Sequence, residues 1–156
     1  MTLRSVLTLA LAGSLLSGTA LAQDKAQERI LKYRQASMAL VGDNFGFMGA
    51  MMKGEIPWNG EAFARRAQDL AAVSSLDLLR GYPEGSEGGK TKAKADIWLS
   101  FDDFKEKMEA FQAAAPALAK AAQAGDKGQA MDAFKDTAKT CKGCHKEYKS
   151  KEWLNQ

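Results

Sequence analysis

The sequence predicts an all-α protein, an antiparallel four-helix bundle. Three observations lead there. Beyond the first two dozen residues the chain is rich in Ala, Lys, Glu, Gln, Leu and Met, all good helix formers. Four stretches place residues for one inward face at spacings of three and four, strictly alternating in the last two, the mark of amphipathic helices. The connections between them are short or carry Gly and Pro, which suits antiparallel neighbours. No stretch alternates apolar and polar residues in a way that predicts a strand.

Ahead of the bundle lies a leader. MTLRSVLTLALAGSLLSGTALA opens with Arg4, continues apolar and closes on Ala20-Leu21-Ala22. That order of charge, apolar run and small residues is a secretory signal peptide, and the run is too short for a comfortable membrane span. Cleavage after Ala22 is expected. It leaves 134 of the 156 residues, 23–156, enough for one domain with a single core. Losing Arg4 takes the formal charge from +3 to +2. A nearly balanced chain is not a general nucleic-acid binder, which needs a strongly basic surface.

The first helix is expected from about Asp24 to Met52, with Ile30, Arg34, Met38, Val41, Phe45, Met48 and Met52 on one face. Pro57 breaks the chain after it. The second helix is expected from Asn59 to Arg80, with Phe63, Ala67, Leu70, Val73 and Leu76 available to the core. Residues 81–92, GYPEGSEGGKTK, form the longest loop. The third helix is expected from Ala95 to about Ala122. Ile97, Phe101, Phe104, Met108, Phe111, Ala115 and Leu118 make one seam, and Pro116 should bend the helix without ending it. Gly125-Asp126 then supplies a stop and an N-cap for a fourth helix from Lys127 to Ser150. Its seam is Ala130, Phe134, Thr137, Cys141, Cys144 and Tyr148.

That last seam contains the chemistry. Residues 141–145 read CKGCH and hold both cysteines and the one histidine of the chain. A Cys141–Cys144 disulfide would close a tiny loop and add little stability. A structural zinc site wants four protein ligands, and this motif supplies three. A thioredoxin-like redox pair needs a βαβ context that the helical pattern does not offer. Cys-x-x-Cys-His is the attachment signal of c-type haem: the thiols add to the porphyrin vinyl groups, and the histidine becomes the proximal iron ligand.

With this motif near the end of four amphipathic helices, the chain resembles the class II c-type cytochromes, the cytochrome c′ family. YRQASM at 33–38 is similar to the start of that family's first helix, and KGE at 53–55 with Pro57 to its first turn. EGG at 87–89, Ile97-Trp98, AGD at 124–126 and CKGCHKEYK at 141–149 continue the resemblance in order. It implies a periplasmic protein with one haem c on Cys141 and Cys144 and with His145 on the iron. It also implies a homodimer through the first two helices. The methionine-rich first helix, with Phe45, Phe47, Met48 and Met51 on more than one face, fits a dimer.

Met38 matches the family's distal position. Two readings stay open there. An unligated side chain leaves a five-coordinate, high-spin iron that binds NO or CO and carries an electron. Ligation by Met38 gives a six-coordinate, low-spin carrier like cytochrome c-556. An enzyme acting on peroxide or NO is the weaker reading, because peroxide cleavage wants a distal acid–base group and the histidine is already used. Arg34 corresponds to an arginine near the haem propionates; the alternative is an exposed end of the first helix. Lys149, one helical turn after His145, corresponds to a basic residue near the proximal pocket. Tyr148 and Trp98 are expected as aromatics beside the porphyrin. Met48, Met51 and Met52 are expected to pack the core or a subunit contact. Lys139, Lys142, Lys146, Lys149 and Lys151 form either a docking patch for an acidic redox partner or a solvated helix face.

Overall fold

The computed structural model describes residues 14–155, with side chains from 23 to 152. Four long helices form an antiparallel bundle: α1 (Ser14–Lys53), α2 (Gly60–Ser74), α4 (Phe101–Gln123) and α5 (Lys127–Tyr148), with a single turn, α3 (Asp96–Leu99), before α4. Along the bundle α1 packs on α2, α2 on α4 and α4 on α5. The first thirteen residues of the expected leader lie outside the described residues. α1 is already helical at Ser14, the first described residue, ahead of the expected start at Asp24, because the Ala- and Leu-rich stretch before Asp24 is itself helix-forming.

The core follows the seams. Phe63, Ala67 and Leu70 from α2, Phe104, Met108, Phe111, Ala115 and Leu118 from α4, and Ala130, Phe134 and Thr137 from α5 are all buried. Met48 and Met51 of α1 join them. α4 runs through Pro116 without ending. At α1 and α5 the contact is aromatic: Phe45 stacks on Phe134 with ring centroids 4.2 Å apart and planes 9° from parallel. Phe134 precedes Cys141 by two helical turns, so the stack closes the bundle below the cysteines.

Four expectations are corrected. The second helix ends at Ser74 and not at Arg80. The hydroxyls of Ser74 and Ser75 donate back to the carbonyls of Ala71 and Ala72, which competes with continuing the helix. A separate 3₁₀ turn, Leu78–Gly81, then starts on Asp77, whose side chain accepts from the Arg80 N–H. Leu76, left in the break, is 44% exposed and does not enter the core. The third stretch is broken at Ser100, which separates α3 from α4.

The remaining two corrections concern the chain's end. The fourth helix stops at Tyr148, and Lys149 is extended at φ −113° and ψ 126°. From there β2 (Lys149–Asn155) pairs antiparallel with β1 (Lys90–Ala93), so the chain does contain strands. The register sets Lys90 opposite Asn155, Thr91 opposite Leu154 and Ala93 opposite Lys149, with an irregularity between Thr91 and Ala93. Side chains tie the ribbon further: Lys92 Nζ donates to the Lys151 carbonyl at 3.0 Å and Lys94 Nζ to that of Glu147 at 2.7 Å.

Tyr148 anchors the end of α5. Its ring meets Phe104 edge-on at 5.3 Å, and its hydroxyl donates to the Asp103 carboxylate, which Lys107 also holds at 2.5 Å. The bond to Asp103 holds the phenol in its protonated form and pushes its pKa up to about 12; burial pushes that of Tyr82 up to about 12. Both phenols therefore ionise at higher pH folded than unfolded. Between about pH 10 and about pH 12 the folded chain holds more protons than the unfolded one, so stability falls as pH rises through that window. Thermal midpoints measured across it should fall, and Tyr148→Phe should flatten the fall. An identical slope in the variant would show that Tyr148 contributes nothing to it.

Candidate haem site

The motif sits on the last turns of α5. Cys141 and Cys144 are three residues apart, so they share a helix face. Both are free thiols, half-buried and packed against the apolar core. Together with His145 they line one wall of a cavity of about 380 Å³. Burial raises the pKa of both thiols, that of Cys144 to about 11, so each carries its proton at neutral pH. Burial, helped by the nearby Lys149 charge, lowers the pKa of His145 and favours a neutral imidazole with a lone pair to give. Among the described residues no three His, Cys, Asp or Glu side chains converge as a metal cage. The motif therefore does not complete a zinc site from protein groups.

Three other elements supply most of the rest of the lining, with Ile97 of α3 beside them. α4 lends Phe104, Met108 and Phe111, the upper part of its core seam. β1 lends Thr91, Lys92 and Ala93. α1 lends Arg34, Gln35, Met38, Ala39, Val41 and Gly42. The α1 wall contains no carboxylate, imidazole or thiol. Met38 is half-buried within it, and the amide of Gln35 is taken up by the Lys90 carbonyl at 2.7 Å.

Arg34 is the charged member of that wall and is only 4% exposed, so it is not a solvated helix end. Its Nε donates to the Gly81 carbonyl at 2.8 Å, and Nη2 donates to the carbonyl and hydroxyl oxygens of Ser86 at 3.1 and 3.0 Å. The guanidinium lies 4.6 Å from the Tyr82 ring centroid and 5.2 Å from that of Trp98. Nη1 is buried and has no partner. A buried donor left unmatched costs about 1–3 kcal/mol and more on a charged group, so this nitrogen calls for an acceptor that is not a protein atom. Gly89 brings the loop in close: its φ is +75°, and a Cβ there would stand 2.5 Å from Leu31 Cδ1.

Of the residues singled out in the sequence, Arg34, Met38, Tyr148 and Lys149 line this cavity together with Cys141, Cys144 and His145. Trp98 reaches it through Arg34, Met48 and Met51 lie in the core, and Met52, Lys139, Lys142, Lys146 and Lys151 do not line it. Lys149 lines it from β2 and not from a continued helix. Sequence reasoning missed Tyr82, Thr91 and Lys107, which also line it. Lys107 carried a signal, the i,i+4 pair with Asp103. Tyr82 and Thr91 carried none, because their loop and strand are placed by contacts distant in sequence.

Comparison with known proteins gives a family. The family model described as Cytochrome C' matches residues 29–149, a span that includes Arg34, Met38 and the whole CKGCH motif. A cytochrome c' from Pararhodospirillum photometricum is 39% identical over 123 residues, 78% of this chain and 97% of that protein. The solved cytochrome c prime from Shewanella frigidimarina superposes with a TM-score of 0.76 at 44% identity, covering 80% of this chain and 96% of that one. A solved nitric oxide complex of a variant cytochrome c prime from Alcaligenes xylosoxidans superposes with a TM-score of 0.72 at 34% identity, covering 81% and 97%. The chain belongs to the cytochrome c′ family, and with it to the proteins that hold haem c covalently through cysteines.

Proposed function

We propose that this chain is an exported, non-enzymatic gas-binding cytochrome c′ with a five-coordinate iron, which also carries one electron. Cys141 and Cys144 are the thioether positions and His145 the axial ligand. Cleavage after Ala22 releases the bundle into the periplasm. The single observation that carries the reading is the contrast across the cavity: both thiols and the imidazole stand on α5, while Met38, Ala39 and Val41 of α1 face the cavity with aliphatic and thioether groups and Arg34 is the one charged group on that helix's side. Haem bound there supplies an open iron position for a diatomic ligand and a one-electron couple.

The chain's own residues set what reaches that position. Met38 and Val41 cover the α1 side without offering a hydrogen bond. NO and CO depend less on such a donor than O₂ does, so this wall favours them. The nitric oxide complex of the Alcaligenes relative supports the same ligand class. Met38 and Val41 also carry no acid–base group for peroxide cleavage, which supports binding over turnover. Arg34 Nη1, the unpaired donor, is matched by a propionate carboxylate. That fits a charge-assisted hydrogen bond and would relieve the cost of burying the guanidinium.

Three measurements follow. Met38→Ala opens the α1 wall, and CO association followed by flash photolysis should speed by an order of magnitude or more; an unchanged rate would remove Met38 as a steric gate. Arg34→Met withdraws a positive charge beside the haem and should lower the reduction potential in a spectroelectrochemical titration; an unshifted potential would contradict the propionate contact. A homodimer through α1 and α2 is supported by Leu40, 51% exposed, and by the half-buried Phe47 seven residues along the same helix face. Sedimentation at micromolar concentration should give a dimer, and a monomer alone would sink this interface.

A further inference from the structure

The haem cavity opens onto a face with a strong local charge. Residues 90–94 and 139–151, 18 in all, hold eight lysines and one glutamate. That is a formal +7 inside a chain of +3, so the other 138 residues carry −4. The ribbon joins the two segments into one surface: the Lys94 N–H donates to the Tyr148 carbonyl at 3.0 Å, and Ala93 faces Lys149 in the strand register. Six of the eight lysines are exposed. Among the described residues Lys142, Lys149 and Lys151 form no ion pair. The dipole of α5 accounts for Lys146 and Lys149 at its C-terminal end. It does not account for the three lysines on residues 90–94, which the ribbon sets beside them; of these Lys94 pairs with Asp96 at 3.2 Å.

We infer that this face docks an acidic electron-transfer protein, so that one electron crosses at the mouth of the cavity. The inference deepens the electron-carrying part of the proposed function and rests on it. Lys92, His145 and Lys149 belong both to the cavity lining and to the face, so whatever binds here comes to the haem edge. In the transfer the iron passes between ferric and ferrous, and the partner's redox centre changes by one electron in the opposite sense. No bond forms or breaks. Because the rest of the chain is negative, the molecule is a charge dipole that turns this face toward an anionic partner and away from other approaches. That favours a protein with a compact acidic patch over a general polyanion.

The test uses the holoprotein and a reduced acidic flavodoxin as the electron donor in stopped flow. The experiment runs at about 20 mM salt, where the screening length is about 20 Å, and again at about 500 mM. Lys146→Glu/Lys151→Glu reverses two charges on the face, and Lys53→Glu/Lys120→Glu makes the same net change elsewhere. The bimolecular rate should fall about tenfold or more in the first variant at low salt, within the range that steering supplies. It should change less than twofold in the second, and the difference should collapse at high salt. An equal fall in both variants would overturn the docking face, leaving net charge as the only effect. So would an unchanged rate in the first variant combined with lost binding to phosphatidylglycerol vesicles, which would make the face a membrane contact. Calorimetric binding of oxidised flavodoxin separates this inference from its foundation. If dithionite fails to reduce the iron, the electron-carrying reading falls, while loss of flavodoxin binding only in the first variant still assigns the face.

Discussion

A guanidinium buried at the mouth of the bundle constrains more of this structure than any other group. Arg34 lies on α1, yet its bonds go to Gly81 and Ser86, and its planar faces meet Tyr82 and Trp98. Removing such a charge from water costs several kcal/mol unless its donors are met. Meeting them fixes the long loop over the end of α1, and that loop leads directly into β1, a wall of the haem cavity. The one donor left over, Nη1, is unmatched by protein and suits a carboxylate of the cofactor. Loop placement thus traces to one side chain with five donors in a rigid fork, and the proposed propionate contact would tie cofactor orientation to the same group.

The rest of the site follows from where α1 and α5 touch. The Phe45–Phe134 stack closes the bundle two turns below Cys141. Above it, the helices part around the cavity, with the thiols and imidazole on α5 and, beyond Arg34 and Gln35, apolar cover from Met38, Ala39 and Val41 on α1. Neutral thiols and a neutral imidazole suit an attachment site better than a charged cluster, because each can enter an apolar pocket without a counter-ion. The end of α5 is then held on both sides, by Tyr148 on Asp103 of α4 and by the ribbon to β1.

Much of the cavity's lining was legible in the sequence. CKGCH gathers all the cysteine and histidine of the chain into one motif, and the helical period placed both cysteines on an inward seam. Arg34 and Met38 share a face with the core positions of α1, which is why both reach the cavity. The period gave direction but not depth: Phe104, Met108 and Phe111 read as ordinary core, although they also line the cavity. What stayed hidden depends on pairing distant in sequence. KTKA and KSKEWLN contain no apolar alternation, and only their mutual hydrogen bonds make them strands. Lys149 therefore looked like one more helical residue, and the joining of two lysine-rich segments into one face could not be seen. The early end of α2 came from Ser74 and Ser75 turning back on their own helix, a local competition that spacing does not report.

The central claim is that α1 covers the iron without binding it. The absorption spectrum of the dithionite-reduced protein tests this most directly. A broad ferrous Soret band without sharp α and β bands is predicted, the mark of a five-coordinate, high-spin iron with Met38 standing aside. Sharp α and β bands, together with a ferric charge-transfer band at roughly 695 nm of the kind His/Met ligation gives, would contradict it. They would put the Met38 sulfur on the iron and leave electron transfer as the protein's work.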